Sequence, residues 1–420
     1  MNVQIRSSGV TGSLTALPSK SMTHRALILA ALARGRSRIR TPLTADDTEA
    51  TASVLQKLGV NIVHGDEWVI DGGYLQAPTD ALHCGESGTT LRFMSAICAL
   101  VDGESRLTSG PSLSLRPVGP LLDALGQLGV VSESRWGMPH VTIKGTGRIR
   151  GGEVRLPGDV SSQFVSALLT VAPLAESQVE ISLTTKLESK PYVAMTVEAM
   201  RAFGVEAETS PDMRRFTARL KPYRAATVSV EGDWSSASYP LAAGALSGEV
   251  TIKGLNPGSS QADKAIISIL GEIGARTSMS GDTVKVSAST LSGIEADLRD
   301  CPDLFPIVSA LCAASEGESH LTGLGRLRLK ESDRVAAMAE GLTRMGARIR
   351  YDADSATITG GTLHGGEVDP WGDHRIAMSL AILALHAEGE TTIRNAGCVS
   401  KSYPGFWDDL VSIGGRLERR

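Results

Sequence analysis

Residues 18–59 read PSKSMTHRALILAALARGRSRIRTPLTADDTEATASVLQKLG, and the reading of that stretch decides the fold. It opens on Ser19-Lys20-Ser21, small polar residues of the kind that start helices. A helix-period apolar run over 24–33 follows, then a strand-like stretch, SRIRTP at 37–42. A second helical run over 49–58 ends on Gly59. Glycine just past a helix stops it, because a residue without Cβ enters the left-handed region at little cost. The same order recurs five more times, with helix-ending glycines at Gly129, Gly204, Gly274, Gly346 and Gly414. The spacing is roughly 68 to 75 residues, the size of one supersecondary unit used repeatedly. The openings recur as Ser87-Gly88-Thr89, Ser161-Ser162-Gln163, Ser235-Ser236, Asp303-Leu304 and Asp373-His374.

The first helices are expected over 24–33, 90–100, 164–172, 236–246, 304–314 and 376–386. The second are expected over 49–58, 118–128, 192–203, 263–273, 333–345 and 404–413. Further strands are expected at 68–72, 140–144, 216–220, 283–287 and 357–359. The alternation predicts an α/β chain of six βαβαββ-like repeats, divided into two groups of three. No GxGxxG follows the first strand, and GxxxxGK[ST] and HExxH do not occur.

Composition sets the class. A chain of 420 residues exceeds one ordinary core, so two domains are expected. It is 42% hydrophobic and 21% charged with a net charge of −4, the profile of a globular protein without a global field for nucleic acid or anionic membrane. Cys84, Cys98, Cys301, Cys312 and Cys398 are scattered without metal-ligand spacing, which suits a reducing compartment. The start, MNVQIRSSGV, lacks a signal-peptide core, and no apolar run approaches the ~20 residues of a membrane span. A cytoplasmic protein is expected.

The openings carry the chemistry. A helix N-terminus presents free N–H groups and partial positive charge, so several of them in one cleft would bind anions. Lys20, Ser21 and Arg25 surround the first such end. Lys330 and Arg334, with Glu331 between them and Ser332 as the expected cap, surround another. Cations there oppose the helix dipole, a conflict an anionic ligand would remove. Arg375 follows Asp373-His374 in the same way, and Lys401 precedes the last helix. Ser161, Ser162, Ser189 and Tyr192 add hydroxyls suited to phosphate, beside Gln163 and Lys190; Asp303 reads equally as a helix cap or a functional acid.

Seven motifs carry a resemblance over essentially the whole chain, in order: PSKSMTHRALILAALA (18–33), GESGTTLRF (85–93), LRPVGPLLDAL (115–125), SSQFVSALL (161–169), LKESDRVAAM (329–338), DHRIAMSLAI (373–382) and CVSKSYPGFW (398–407). They resemble the 5-enolpyruvylshikimate-3-phosphate synthase (3-phosphoshikimate 1-carboxyvinyltransferase) family. The resemblance implies a two-domain inside-out α/β barrel with the active site in the interdomain cleft. It implies a lower domain of 1–18 and 234–420, on the phosphoenolpyruvate side, and an upper domain of 19–233, on the shikimate 3-phosphate side. The implied reaction moves the enolpyruvyl group of phosphoenolpyruvate to the 5-hydroxyl of shikimate 3-phosphate by addition and elimination, releasing phosphate.

By motif, Ser21 and Arg25 would hold the shikimate carboxylate, and Ser161, Ser162 and Ser189 its 3-phosphate. Lys330 would lie near the phosphate and hydroxyls, Tyr192 near the shikimate, and Gln163 between the substrates. Arg116, Arg334, Arg375, Lys401 and the Gly88 backbone would clamp phosphoenolpyruvate, with Lys20 touching both substrates. Asp303 would take the 5-hydroxyl proton, and Glu331 would serve the methylene carbon. On that reading Lys20→Met or Arg334→Ala leaves the fold intact and reduces turnover at least about a hundredfold. The implied chemistry needs no metal or organic cofactor, and the implied enzyme is a monomer.

Two positions depart from the usual bacterial pattern. Glu86-Ser87 replaces an Asn-Ala pair, where an acid would weaken phosphoenolpyruvate binding or engage Lys20. Arg326 replaces an Asn and is left out of the site. The alternatives are the sister transferase acting on UDP-N-acetylglucosamine and a non-catalytic anion-binding scaffold. The sister family carries a catalytic Cys or Asp in the loop before its Arg-Pro, whereas 102–117 here has no cysteine and Pro111 at that place.

Overall fold

The computed structural model describes residues 1–135 and 138–420, the side chains of 138 and 139 excepted. The chain forms two compact units, one of Met1–Leu17 with Glu231–Arg420 and one of Pro18–Val230. Each unit, taken by itself, holds three four-stranded sheets among the described residues.

One sheet stands for all six. Strand Thr227–Ser229 runs parallel to Gly35–Arg40, and Glu67–Gly72 and Asn61–Val63 continue the sheet antiparallel. The register sets Val228 against Ile39, Ile39 against Trp68 and Ile62 against Ile70. The other five repeat one parallel pair followed by two antiparallel pairs. A parallel pair needs a crossover, and in four of the six sheets a helix supplies it; the strands 35–40 and 227–229, and 10–15 and 248–253, are joined instead through several repeats of chain.

The first helix of each repeat is the inner element. Phe305–Ala313 is buried at every residue, Trp234–Ser247 at all but the last, and His374–Ala384 throughout. These three pack on one another in their unit, as do Gly88–Ile97 and Ser162–Val171 in the other, joined by Lys20–Leu32. A helix apolar on all sides must be surrounded, so Ala-rich and small-residue runs stand at the middle and the sheets lie outside them. The second helices, such as Asp46–Lys57 and Arg334–Arg344, bury one face only. Their glycine stops behave as expected: Gly59, Gly129, Gly204, Gly274, Gly346 and Gly414 have φ between 81° and 106°.

The N-terminal residues fold with the second half of the chain. Val3–Arg6 pairs with Glu390–Ile393 and Arg416–Arg419, and Val10–Thr15 runs parallel to Gly248–Lys253. One expected helix, 263–273, is divided into a 3₁₀ turn, Ala262–Ala265, and a short helix, Ile266–Glu272. No described helix is long and apolar enough to cross a membrane.

Candidate active site

In the 18–230 unit the predicted residues gather at helix starts. Lys20 is the first residue of its helix, and its Nζ donates to Asp47 Oδ2 at 2.8 Å; the side chains are only 14% and 11% exposed. Arg25, one turn on, is buried against neutral oxygens: Nε donates to Thr196 Oγ1 at 2.9 Å, Nη1 to the Ser21 carbonyl at 2.9 Å and Nη2 to the Tyr192 carbonyl at 2.8 Å. Burial pushes its guanidinium down to about 10, so it remains charged at neutral pH. Those bonds tie the Lys20 helix to Lys190–Ala202, whose cap, Ser189, is left-handed at φ 51°.

A second cation cluster surrounds Gly88. A Cβ there would lie 2.9 Å from Nη1 of both Arg92 and Arg116, so the bare backbone lets two guanidiniums approach a helix N-terminus. Arg92 Nη1 donates to Gln163 Oε1 at 2.5 Å, and Gln163 Nε2 donates to Thr89 Oγ1 at 3.0 Å. Ser161 caps the helix that carries Ser162 and Gln163. A buried chain of side chains, His24 Nδ1 to Thr51 at 2.8 Å, Thr51 to Thr90 at 2.6 Å and Thr90 to Ser87 at 2.7 Å, locks the Lys20, Asp47 and Gly88 helix starts together. His24 is held neutral, because burial and then Lys20 and Arg25 lower its pKa well below the usual value.

In the other unit Arg334 is the focus. It is 1% exposed, and each arm meets a carboxylate: Nε to Asp373 Oδ2 at 2.8 Å, Nη1 to Asp303 Oδ1 at 2.7 Å and Nη2 to Glu331 Oε2 at 2.7 Å. Asp303 also meets Arg375 Nη2 at 2.9 Å and Lys330 Nζ at 3.6 Å. Burial pushes the Asp303 carboxyl up, but Arg375, Lys330 and Arg334 outweigh it and hold it well below the usual carboxylate range. Burial pushes the Lys330 ammonium down to about 8, with Asp303 opposing part of that shift. Lys401 Nζ donates to the Gly372 carbonyl at 2.9 Å, fixing the turn ahead of Asp373 and Arg375. Asp263 lies beside this group. Burial, and then the Asp303 charge, push its carboxyl up to about 7, and its Oδ1 is buried without a hydrogen-bond partner among the described residues.

The predicted residues thus form two clusters, one on each unit. The sequence model of EPSP synthase (3-phosphoshikimate 1-carboxyvinyltransferase) matches residues 5–410. The chain is 43% identical to the 3-phosphoshikimate 1-carboxyvinyltransferases of Dehalococcoides mccartyi and Methanocorpusculum labreanum, over 99% of this chain and 99% of each relative. The chain belongs to the EPSP synthase family. Its fold agrees with the EPSP synthase of Acinetobacter baumannii at a TM-score of 0.83 and 27% identity, each chain covered completely. The enolpyruvyl transferase NikO from Streptomyces tendae shares the fold, with a TM-score of 0.81 at 19% identity over 99% of this chain and 98% of its own.

For this EPSP synthase family member the structure corrects several local expectations. Asp303 does not stand at the cap of its helix: it lies in the 3₁₀ turn Pro302–Leu304, and its carboxylate meets Arg334 and Arg375. The cap before Arg334 is Asp333, not Ser332, whose hydroxyl reaches Asp373 Oδ2 at 3.3 Å. The helix Trp234–Ser247 is capped by Asp233, ahead of Ser235. The cationic helix start at Arg334 is neutralised by the protein's own carboxylates, a solution the sequence reading assigned to a ligand.

Asp47, Arg92, Asp263 and the Asp373 carboxylate were missed as site residues. Asp47 sits among first-turn acids that look like ordinary dipole partners, so its pairing with Lys20 was not legible. Arg92 could have been found, since it stands four residues after Gly88 as Arg25 stands four after Ser21.

Proposed function

We propose that the protein transfers the enolpyruvyl group of phosphoenolpyruvate to the 5-hydroxyl of shikimate 3-phosphate and releases inorganic phosphate. Family membership across nearly the whole chain carries the reading, and the two cation clusters supply its physical basis. Both substrates are anions that repel one another, and fixed cations with helix-end amides offset that repulsion without reorganising.

In this reading Arg25 and Ser21 hold the shikimate carboxylate, and Ser161, Ser162 and Ser189 the 3-phosphate. Lys330 and Tyr192 lie along the ring, with Gln163 between the substrates. Arg116, Arg334, Arg375, Lys401, the Gly88 amide and Lys20 hold phosphoenolpyruvate. Asp303 removes the 5-hydroxyl proton as that oxygen attacks C2 of phosphoenolpyruvate, and Glu331 delivers a proton to C3. Phosphate then leaves C2 with the proton that Asp303 took, and C3 returns its proton to Glu331, which restores the double bond and both carboxyl groups. Asp303 is already ionised at neutral pH, as a base must be. Its three cations weaken it as a base, and an anionic substrate engaging the same guanidiniums reduces that hold.

Incubating the protein with phosphoenolpyruvate and either shikimate 3-phosphate or UDP-N-acetylglucosamine, then weighing the acceptors by mass spectrometry, tests the assignment. Enolpyruvyl gain is expected on shikimate 3-phosphate alone; gain on the nucleotide sugar would overturn it. Lys330 adds a pH signature. Its ammonium in the free protein loses charge as pH rises through about 8. The KM for shikimate 3-phosphate should therefore climb above that pH, and Lys330→Met should be weak and flat across the same range. The reading carries with it a cytoplasmic monomer acting without nucleic acid or membrane, and size-exclusion chromatography with light scattering checks the monomer.

A further inference from the structure

Glu86 stands two residues before Gly88, where a negative charge would repel an anionic ligand. Its carboxylate points elsewhere. Oε2 accepts the Leu113 backbone N–H at 2.8 Å, and Oε1 accepts that of Ser112 at 3.2 Å. These amides start the 3₁₀ turn Leu113–Leu115, and such a turn leaves its first N–H groups without partners of its own. A charged acceptor for two of them makes a strong tie. The expected contact with Lys20 is not made, since that ammonium pairs with Asp47.

The turn leads directly to Arg116, whose guanidinium lies against Gly88. A backbone bond from Gly110 N–H to the Gly85 carbonyl, at 2.7 Å, closes the loop at its near end. Gly110 also makes room for the tie, because a Cβ there would collide with Glu86 Oε1. The 110–116 loop therefore starts on 85–86 and ends on 88, with the Glu86 carboxylate bonded to its Ser112 and Leu113 amides.

We propose that Glu86 is a positioning residue for phosphoenolpyruvate, setting the place of Arg116 through the Ser112 and Leu113 amides. The proposal rests on the reading of Arg116 as a phosphoenolpyruvate ligand. Without the tie, the loop must be ordered when the anion binds, and affinity is lost without any change in the reacting groups.

Steady-state kinetics of Glu86→Ala, Glu86→Gln and Arg116→Ala, alone and with Glu86→Ala added to Arg116→Ala, test it. Glu86→Ala should raise the KM for phosphoenolpyruvate about ten- to a hundredfold, the worth of hydrogen bonds to a charged group. Its kcat and its KM for shikimate 3-phosphate should stay near wild type. Glu86→Gln, keeping one acceptor, should fall between. In the Arg116→Ala background Glu86→Ala should add little, because the two act on one contact. A lower KM in both Glu86 variants would show that the residue acts by repelling the anion, and would overturn the proposal. So would equal rises for both substrates, the mark of general loosening. If Arg116→Ala raises the KM and Glu86→Ala does not, Glu86 alone is misassigned. If Arg116→Ala changes nothing, the reading of Arg116 falls and the proposal with it.

Discussion

Arg334→Ala is expected to lose at least about a hundredfold in kcat/KM for phosphoenolpyruvate and to unfold earlier on heating, with the deficit growing as pH rises. The reason is the arrangement of Asp303, Glu331 and Asp373 around one guanidinium that is 1% exposed. Removing it leaves Asp373, itself 0% exposed, with no cation on Oδ2. Breaking a buried pair from one side costs about 3–5 kcal/mol, which for a unit of this size lowers Tm on the order of 10 °C. The pH sign follows from linkage. Arg334 is one of three cations that hold the Asp303 carboxyl below its usual range, so the stability lost with it is present above the ordinary carboxylate range and absent as pH falls through that range, and the deficit grows as pH rises. Thermal unfolding near about pH 4 and about pH 8, beside kinetics at neutral pH, gives both readouts. A variant with wild-type Tm at pH 8 would contradict the burial argument, and near-normal kcat/KM would remove Arg334 from the site. On sequence alone this substitution looked like a loss of function in an intact fold; the three carboxylates change that expectation.

The second large effect is on chemistry. Asp303→Asn should lower kcat by about 10²–10⁴, the usual worth of a general base. The KM for phosphoenolpyruvate should hold or fall, since a negative charge is removed from between Arg334, Arg375 and Lys330. Asparagine keeps the size of the side chain but removes the anion shared by three buried cations, so a thermal melt beside the kinetics separates lost chemistry from lost stability. Pre-steady-state binding and turnover separate the two constants. A variant with wild-type kcat and a raised KM would make Asp303 a binding residue only.

Much of the fold was legible because each repeat is written with the same punctuation. The helix-ending glycines announce a left-handed residue that the structure places at φ 81° to 106° in every repeat. The inner helices were legible as small, apolar, uncharged runs. Helix starts were less so, since Asp233 and Asp333 cap helices whose starts also carry serines, and a serine one residue off satisfies the same pattern. In the site, cations at helix starts stood out because they oppose the dipole. Their partners did not, because pairing Lys20 with Asp47 or Arg334 with Asp373 depends on two helices meeting, 27 and 39 residues apart in the chain. Glu86 was read by its charge alone, and its direction came only with the loop it holds.

In the proposed function these cations serve two anionic substrates in one reaction. Phosphate release from phosphoenolpyruvate, followed continuously with and without shikimate 3-phosphate, tests it most directly. The account predicts release only when both are present, and its near-complete loss in Asp303→Asn. Release that proceeds at the same rate without shikimate 3-phosphate would contradict it.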